Sequence, residues 1–385
     1  MYRQLRTLFN ITRLKDEMGE IYFNQVIETF AVSLISIFIP IYLIENGFTI
    51  VTSFSFMLVY WGAMFLLTPL AAEISARIGF KHTIIYRAPM LIVFFSLLFF
   101  VNYITDFIFF VALLGGFSAI LYWVATNAEF VKNSDIVNSA VQVGYLTALP
   151  QISATVAPFI GAFLLSKIGF SQVFIIVISL IAISQIPFLL TKDYKKSFSL
   201  RMRQSWLFLE RKSFAFFIVQ GVIFANDFLL WNIFVYQKFG LLFTGLSASF
   251  FGAGIAILTL FVGKFSASAQ RRRNMLIYGS LGYTLTCIVR LFIETPVEAF
   301  LASMLAGIFT TIISVPIYVE FCEKAKKGNM LNWVVFRDFW LGAGKTVFVI
   351  LTTITLLYSS QSIAIGFEIA GMFSLLLVFL ALSGK

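Results

Sequence analysis

The sequence has little charge, a single histidine and two cysteines. Charged residues make up 12% of its 385 residues, about half the share found in an ordinary soluble domain. Phenylalanine, by contrast, occurs 47 times, and hydrophobic residues account for 60% of the chain. A chain of this composition has too little polar surface to stay dissolved, so an ordinary soluble protein is excluded.

The residues that usually bind metals and phosphates are scarce as well. His82, Cys287 and Cys322 do not have the spacing of a zinc site, and they supply no disulfide framework. The segment 342–346, Gly-Ala-Gly-Lys-Thr, comes nearest to a phosphate-binding loop, but it lacks the first glycine of that motif and lies in an apolar run. We therefore expect no enzyme and neither a cofactor nor a metal.

Long apolar runs recur along the whole chain. Each has about the 20 residues that a helix needs to cross the hydrocarbon core of a bilayer, and the ten-residue alternating stretches of a membrane barrel are absent from the sequence. Twelve runs can be counted: 20–44, 49–72, 83–103, 107–130, 138–165, 169–191, 213–238, 242–264, 274–293, 297–319, 332–358 and 361–383. The sequence predicts an all-α membrane protein with twelve transmembrane helices.

The net charge of +10 follows the predicted topology. All but four of the 28 Lys and Arg residues fall in the N-terminus, the even-numbered loops and their helix ends, or the C-terminus. Positive residues collect on the cytoplasmic side of a membrane, so both termini are expected in the cytoplasm of a cell-membrane protein. The charge then faces anionic lipid, and no nucleic acid partner is expected.

The two halves of the chain match at a constant offset of 191 residues. A short basic link between apolar runs, 72–82, has its counterpart at 263–273. Other pairs at this offset are Gly116 and Gly307, Glu129 and Glu320, Phe130 and Phe321, and Asn138 and Asn329. A constant offset indicates a duplicated unit. We predict two six-helix bundles, 20–191 and 213–385, with a cytoplasmic N-terminal segment 1–19 and a cytoplasmic linker 192–212.

This organisation resembles the major facilitator superfamily (MFS), which has six plus six helices and a basic loop after the second helix. The family motif in that loop is Gly-x-Leu-Ala-Asp-Arg-x-Gly-Arg-Lys. Residues 72–81 read Ala-Glu-Ile-Ser-Ala-Arg-Ile-Gly-Phe-Lys, keeping the arginine, the second glycine and the lysine, with alanine at the aspartate position. The resemblance covers nearly the whole chain and implies the MFS fold, two pseudo-symmetric bundles that rock about a midplane site.

The same loop supplies a predicted cytoplasmic latch formed by Glu73, Arg77, Gly79, Lys81 and Glu129. Arg77 is expected to pair with Glu129 at the cytoplasmic end of the fourth span. Glu73 is expected to face the N-terminus of the eleventh span, where the helix dipole favours an anion. These contacts would close the two halves against each other. The alternative is that the charges only hold the loop at the membrane surface.

Two further comparisons with the family bear on direction and coupling. The fifth span reads Ser-Ala-Thr-Val-Ala-Pro-Phe-Ile-Gly-Ala at 153–162. This stretch is similar to the Gly-x-x-x-Gly-Pro-x-x-Gly-Gly motif of antiporter-type exporters, with Pro158 and Gly161 matching, and it implies export. The fourth-span arginine often tied to proton coupling in this family is replaced by Ala112.

Ionisable residues within the apolar runs carry the strongest functional signal, because a charge at the bilayer centre costs about 2.5–3.5 kcal/mol. Glu28 lies in the first span and Asp227 in the seventh, while Lys345 lies in the eleventh, two turns after Asp338. The resemblance places the first and seventh spans at a central cavity, so we expect Glu28 and Asp227 to exchange protons or to contact substrate. The alternative is a static ion pair between Asp227 and Lys345.

Uncharged polar and aromatic residues near these positions complete the predicted site. They are Asn24, Tyr122, Trp123, Asn127, Gln142, Asn226, Trp231, Asn232 and Tyr236. Each also has an ordinary explanation in helix packing or in an interfacial aromatic belt.

Together these features predict a secondary active transporter that exports a small organic solute, cationic or amphiphilic and drug-like, by proton-coupled rocker-switch alternating access. The expected partners are this small-molecule substrate, protons and the lipid bilayer, with the chain acting as a monomer. A sugar, metabolite or lysolipid transporter is the alternative within this class. A transport-inactive receptor or scaffold with the same fold is the alternative outside it.

Overall fold

The computed structural model describes residues 17–133, 139–186, 210–265, 268–359 and 362–382. The helices of this part of the chain are α1 (Glu17–Ile35), α2 (Ile39–Glu45), α3 (Ile50–Ile78), α4 (Phe80–Phe99), α5 (Ile108–Asn133), α6 (Ser139–Ser184), α7 (Arg211–Ala225), α8 (Trp231–Phe239), α9 (Leu241–Phe265), α10 (Ala269–Arg290), α11 (Pro296–Lys327), α12 (Met330–Tyr358) and α13 (Ser362–Leu382). A 3₁₀ turn, Ser36–Phe38, joins α1 to α2, and a π turn, Asn226–Leu230, joins α7 to α8. Each of these pairs forms one interrupted span.

The helices are consistent with the twelve predicted spans. Ten stretches of the described residues are long and apolar enough to cross a membrane. One of them, 150–184, is kinked at Gly169, whose φ of 80° ends one helix and begins the next, so it accounts for the fifth and sixth spans. The ninth span corresponds to α10, which is not among the ten and carries three arginines, at 271–273, close to its start.

The domain boundaries stay predictions. The N-terminal segment 1–19 and the linker 192–212 fall almost entirely outside the described residues. For orientation, the face of the molecule where α1 begins and α13 ends is called the terminal face, and the opposite one the far face. The charge pattern of the sequence predicts that the terminal face is cytoplasmic.

The internal repeat is visible in the packing of two glycines. A Cβ atom on Gly116 would lie 2.1 Å from the carbonyl oxygen of Tyr60, and one on Gly307 would lie 2.2 Å from that of Phe251. Tyr60 and Phe251 are themselves 191 residues apart. The same close contact therefore joins the second and fourth spans of each half, as expected for two copies of one unit.

The two bundles, α1–α6 and α7–α13, meet along two helix pairs. Between α3 and α12, the rings of Phe65 and Phe339 lie 4.4 Å apart. Between the first part of α6 and α9, a Cβ atom on Gly252 would lie 2.8 Å from the hydroxyl oxygen of Thr155. Small residues at such crossings let the helix backbones approach closely.

We expect Gly116→Ala and Gly307→Ala each to lower the melting temperature of the detergent-solubilised protein. The added methyl group would collide with a carbonyl oxygen of the neighbouring helix, and overpacking of this kind costs about 1–3 kcal/mol. Gly62→Ala is the matched control, because a Cβ atom there meets nothing within 4 Å. Equal melting temperatures for all three variants would contradict the proposed repeat contact.

Candidate functional site

A buried ion pair joins α1 to α4. The Glu28 carboxylate contacts the Arg87 guanidinium, and each side chain is only 3% exposed. Tyr122 of α5 covers the guanidinium, with its ring centroid 4.3 Å from Arg87 Cζ. Charge attraction and a cation–π contact thus connect the first, third and fourth spans of the first bundle.

A second buried ion pair joins the π turn of the seventh span to α10. Arg290 Nη1 lies 2.7 Å from Asp227 Oδ1, and the two side chains are 0% and 4% exposed. The Trp231 ring lies 4.3 Å from Arg290 Cζ, and the hydroxyl of Thr310 donates to Asp227 Oδ2 at 3.4 Å. The second bundle therefore repeats the arrangement of the first: a carboxylate, an arginine and an aromatic ring.

The π turn that carries Asp227 is supported by a nearby side chain. The Asn232 amide donates to the carbonyl oxygens of Asp227 at 3.1 Å and Phe228 at 2.8 Å. A π turn interrupts the regular hydrogen bonds of a helix, and such turns are frequent at functional sites. Asn232 satisfies acceptors within this turn, so it helps to position Asp227.

Neighbouring polar groups fix the rest of this cluster. The Trp231 indole N–H donates to the hydroxyls of Ser247 and Ser303, at 3.0 and 2.8 Å. The Asn226 amide donates to the Tyr283 hydroxyl at 2.9 Å. These hydrogen bonds connect the seventh span to α9, α10 and α11, so the cluster is a rigid part of the second bundle.

The two ion pairs use equivalent helices but lie at different depths. In each bundle the carboxylate belongs to the first span and the arginine to the third. Asp227 occupies the repeat position of Ser36, eight residues beyond Glu28, or about 12 Å along a helix. The Glu28 pair therefore lies nearer the terminal face and the Asp227 pair nearer the far face.

Lys345 lies midway along α12, where the two bundles meet. Its ammonium nitrogen is 4.0 Å from the ring centroid of Phe224 and 5.9 Å from that of Trp61. No ion pair to Lys345 is formed by any carboxylate in the part of the chain that the structure describes. The expected alternative, an ion pair between Asp227 and Lys345, is wrong, because Arg290 takes the Asp227 carboxylate.

Asp338 has other partners, although it lies two turns before Lys345 in the same helix. Arg337 Nη1 lies 2.7 Å from Asp338 Oδ1. The Asn127 amide of α5 donates to Asp338 Oδ2 at 3.1 Å. This second contact joins the two bundles on the terminal side of the midplane.

The far face has its own contact between the bundles. The Tyr236 hydroxyl donates to Glu45 Oε1 at 3.0 Å. The two residues are 191 positions apart, so they are equivalent in the repeat. Equivalent residues that touch each other lie on the pseudo-twofold axis, and this hydrogen bond therefore marks the axis at the far face.

The other predicted site residues belong to neither of the two buried ion pairs as charged partners. The Asn24 amide donates to Ser184 at 3.1 Å, a contact within the first bundle. Trp123 is 48% exposed, whereas its neighbour Tyr122 is 9% exposed and belongs to the buried cluster. Gln142 lies outside the residues whose side chains the structure describes.

Two residues of the predicted latch pair with each other within α3. Arg77 pairs with Glu73, one turn earlier in α3, and both side chains are largely exposed. Gly79, with a φ of 93°, makes the tight turn between α3 and α4. The contact between Arg77 and Glu129, and the role of Lys81 beside it, stay predictions.

The residues that sequence reasoning missed are Arg87 and Arg290. Both lie near the ends of apolar runs, where a positive charge is ordinarily explained by the membrane surface. A signal was nevertheless present. A carboxylate inside a span requires a cation nearby, and these two arginines lie within the runs that the sequence assigns to spans.

A small cleft lies between α7, α11 and α12 at the terminal face, lined by Ser213, Glu320 and Lys324 among others. Lys324 contacts both Glu320 and Glu210. Since its charges are already paired, we assign no substrate to this cleft.

Comparison with known proteins gives one family and several solved structures. The sequence model of the Major Facilitator Superfamily matches residues 21–330, and no curated protein matches the chain. The E. coli fucose:proton symporter FucP is 12% identical, covering 96% of this chain and 98% of its own, with a TM-score of 0.67. A second structure of FucP, in the outward conformation, is also 12% identical. It covers 97% of this chain and 100% of its own, with a TM-score of 0.65.

A bacterial homologue of the iron transporter ferroportin, in an outward-facing state, is also similar. It is 11% identical, covers 95% of this chain and 98% of its own, and has a TM-score of 0.67. At these identities the likeness shows the fold alone.

We expect Asp227→Asn and Arg290→Met each to lower the free energy of unfolding, because removing one partner of a buried ion pair costs about 3–5 kcal/mol. The double variant should lose much less than the sum of the two. The measurement is a double-mutant cycle on melting in detergent. The exposed pair Glu73 and Arg77 is the control, and its cycle should show little coupling. Additive losses in the Asp227–Arg290 cycle would show that these two side chains do not stabilise each other.

Proposed function

Because the chain belongs to the Major Facilitator Superfamily, we propose that it is a secondary active transporter, which moves a small organic solute with an apolar body by proton-coupled alternating access. Members of this family are typically transporters and not enzymes. The observation that carries the proposal is the pair of buried carboxylate–arginine contacts, Glu28–Arg87 and Asp227–Arg290. Charges at this depth are costly and mark transport pathways by default.

The carboxylates supply the means of coupling. When a proton binds to Glu28 or Asp227, the negative charge that holds the arginine disappears. The guanidinium can then change its contacts. In this way the free energy of the proton gradient drives the conformational change. The similarity in fold to a fucose:proton symporter supports this choice of ion by analogy, although Ala112 stands where many relatives have a coupling arginine.

Movement of the bundles requires contacts that can break on either face. Tyr236 and Glu45 join the bundles at the far face, and Asn127 and Asp338 join them on the terminal side. Opening toward one face would break the contact there and keep the other. This arrangement supports a rocking motion about the α3–α12 and α6–α9 contacts.

The finer parts of the proposal rest on the sequence. Export is supported by the fifth-span motif, and a cytoplasmic terminal face in the cell membrane by the distribution of Lys and Arg. A monomer contains both halves of the repeat, so no second copy is needed to complete the pathway.

We expect Glu28→Gln and Asp227→Asn each to lower proton-coupled flux at least tenfold, because a neutral amide can neither bind nor release the coupling proton. The measurement is internal pH in pyranine-loaded proteoliposomes after addition of fucose, lactate, benzoate, glutamate or tetraphenylphosphonium. Glu368→Gln is the control, since Glu368 is exposed on α13 and belongs to neither ion pair. Normal flux in both variants would rule out their coupling role.

Alternating access predicts that a fixed far-face contact stops transport. The variant Glu45→Cys/Tyr236→Cys, with Cys287 and Cys322 changed to Ser, should lose flux when a short bismethanethiosulfonate reagent joins the two positions through disulfide bonds. Reduction or omission of the reagent should restore it. The single-cysteine variants, treated in the same way, are the control. Undiminished flux in the cross-linked protein would contradict rocking at this face.

A further inference from the structure

The ammonium group of Lys345 is buried and forms no ion pair with a carboxylate of the described residues. The residue is 6% exposed and lies halfway along α12. The buried carboxylates in this part of the chain are all engaged by arginines, in the pairs Glu28–Arg87, Asp227–Arg290 and Asp338–Arg337. A buried ammonium group without an ion pair is unfavourable, so a lysine at this position indicates a direct partner that the described residues do not supply.

The surroundings of the ammonium group are aromatic. Phe224 holds it at 4.0 Å from the ring centroid, and Trp61 lies 5.9 Å away. Phe224 stacks on Phe228 at 5.5 Å, and Phe228 in turn packs against Trp61 at 6.0 Å. A cation–π contact is weaker than a desolvated ion pair, so an anion could take the ammonium group from the Phe224 ring.

Lys345 also lies at the contact between the two bundles. Trp61 belongs to α3 in the first bundle, whereas Phe224 and Lys345 belong to the second. One turn before Lys345, a Cβ atom on Gly342 would lie 3.1 Å from the Phe65 backbone of α3. A ligand at Lys345 would therefore contact both bundles at the midplane and be exposed to each face in turn.

We propose that Lys345 binds the anionic group of the transported solute, and that the solute is a small organic acid with an aromatic or otherwise apolar body. The inference rests on the proposed transport function and names its substrate class. It replaces the cationic solute expected from the sequence, because the carboxylates that would have received a cation are bound to arginines.

The test uses pairs of ligands that differ only in charge. Benzoate with benzamide, and indole-3-acetate with indole-3-acetamide, are added to the detergent-solubilised full chain, and the melting temperature is recorded. At least one acid should stabilise the wild type, with a Kd at least tenfold lower than that of its amide. Lys345→Gln should abolish this preference, and Lys345→Arg should retain part of it.

Two further measurements separate binding from folding. Lys345→Met should melt no lower than the wild type without ligand, because it removes a buried charge that forms no ion pair with the described residues. Lys238→Gln is the matched control, since Lys238 also lies near phenylalanine rings but donates to the Ile293 carbonyl oxygen. It should keep the preference for acids. The anion site is overturned if no acid stabilises the wild type, or if Lys345→Gln keeps the preference.

Flux distinguishes the failure of this inference from the failure of transport. In proteoliposomes loaded with labelled benzoate or indole-3-acetate, Lys345→Gln should lose at least tenfold of the wild-type exchange. Acid binding through Lys345 without any flux would overturn the transport function and leave the anion site in place. Equal flux of a neutral or cationic solute in wild type and Lys345→Gln would overturn the anion site alone.

Discussion

Hydrocarbon does not solvate ions, so each charge inside this protein must find its partner among the other helices. The chain meets this requirement with arginine rather than lysine in its two deep ion pairs. A guanidinium keeps its charge, bonds to a carboxylate and lies flat against an aromatic ring, as Arg87 does on Tyr122 and Arg290 on Trp231. These contacts decide which helices are neighbours within each bundle. Lys345 is the exception, and the exception lies between the bundles.

Duplication explains the packing of the molecule better than it explains its charges. The glycine contacts at Gly116 and Gly307 are equivalent in the two halves because backbone approach tolerates no side chain at either position. The ion pairs instead use equivalent helices at unequal depths. A repeat of this kind keeps its shape while its polar residues diverge. The consequence is that the two carboxylates lie at different distances from each face, so protons reaching them from opposite sides would travel unequal paths.

Much of the fold could be predicted from the sequence, but the partners at the site could not. Run length, charge distribution and the constant offset are enough to predict the spans and their repeat. They do not tell how each helix is rotated about its own axis, and that rotation decides where its side chains point. Tyr122 and Trp123 were predicted together, yet neighbouring residues point about 100° apart on a helix, and only Tyr122 is buried. Arg290 was missed for the same reason: near the end of an apolar run, and without knowledge of the helix rotation, an arginine looks like a surface charge.

The distribution of contact strengths indicates where the molecule can move. The ion pairs named above each lie within one bundle, and breaking one by removing a partner costs about 3–5 kcal/mol. The polar contacts between the bundles are hydrogen bonds such as Tyr236–Glu45 and Asn127–Asp338, typically worth about 0.5–1.5 kcal/mol, more where a carboxylate accepts. Each bundle is therefore stiffer than the boundary between them. A solute with a negative charge would bind to Lys345 at that boundary, where the contacts that resist motion are weakest. Its binding free energy would favour one arrangement of the bundles over another.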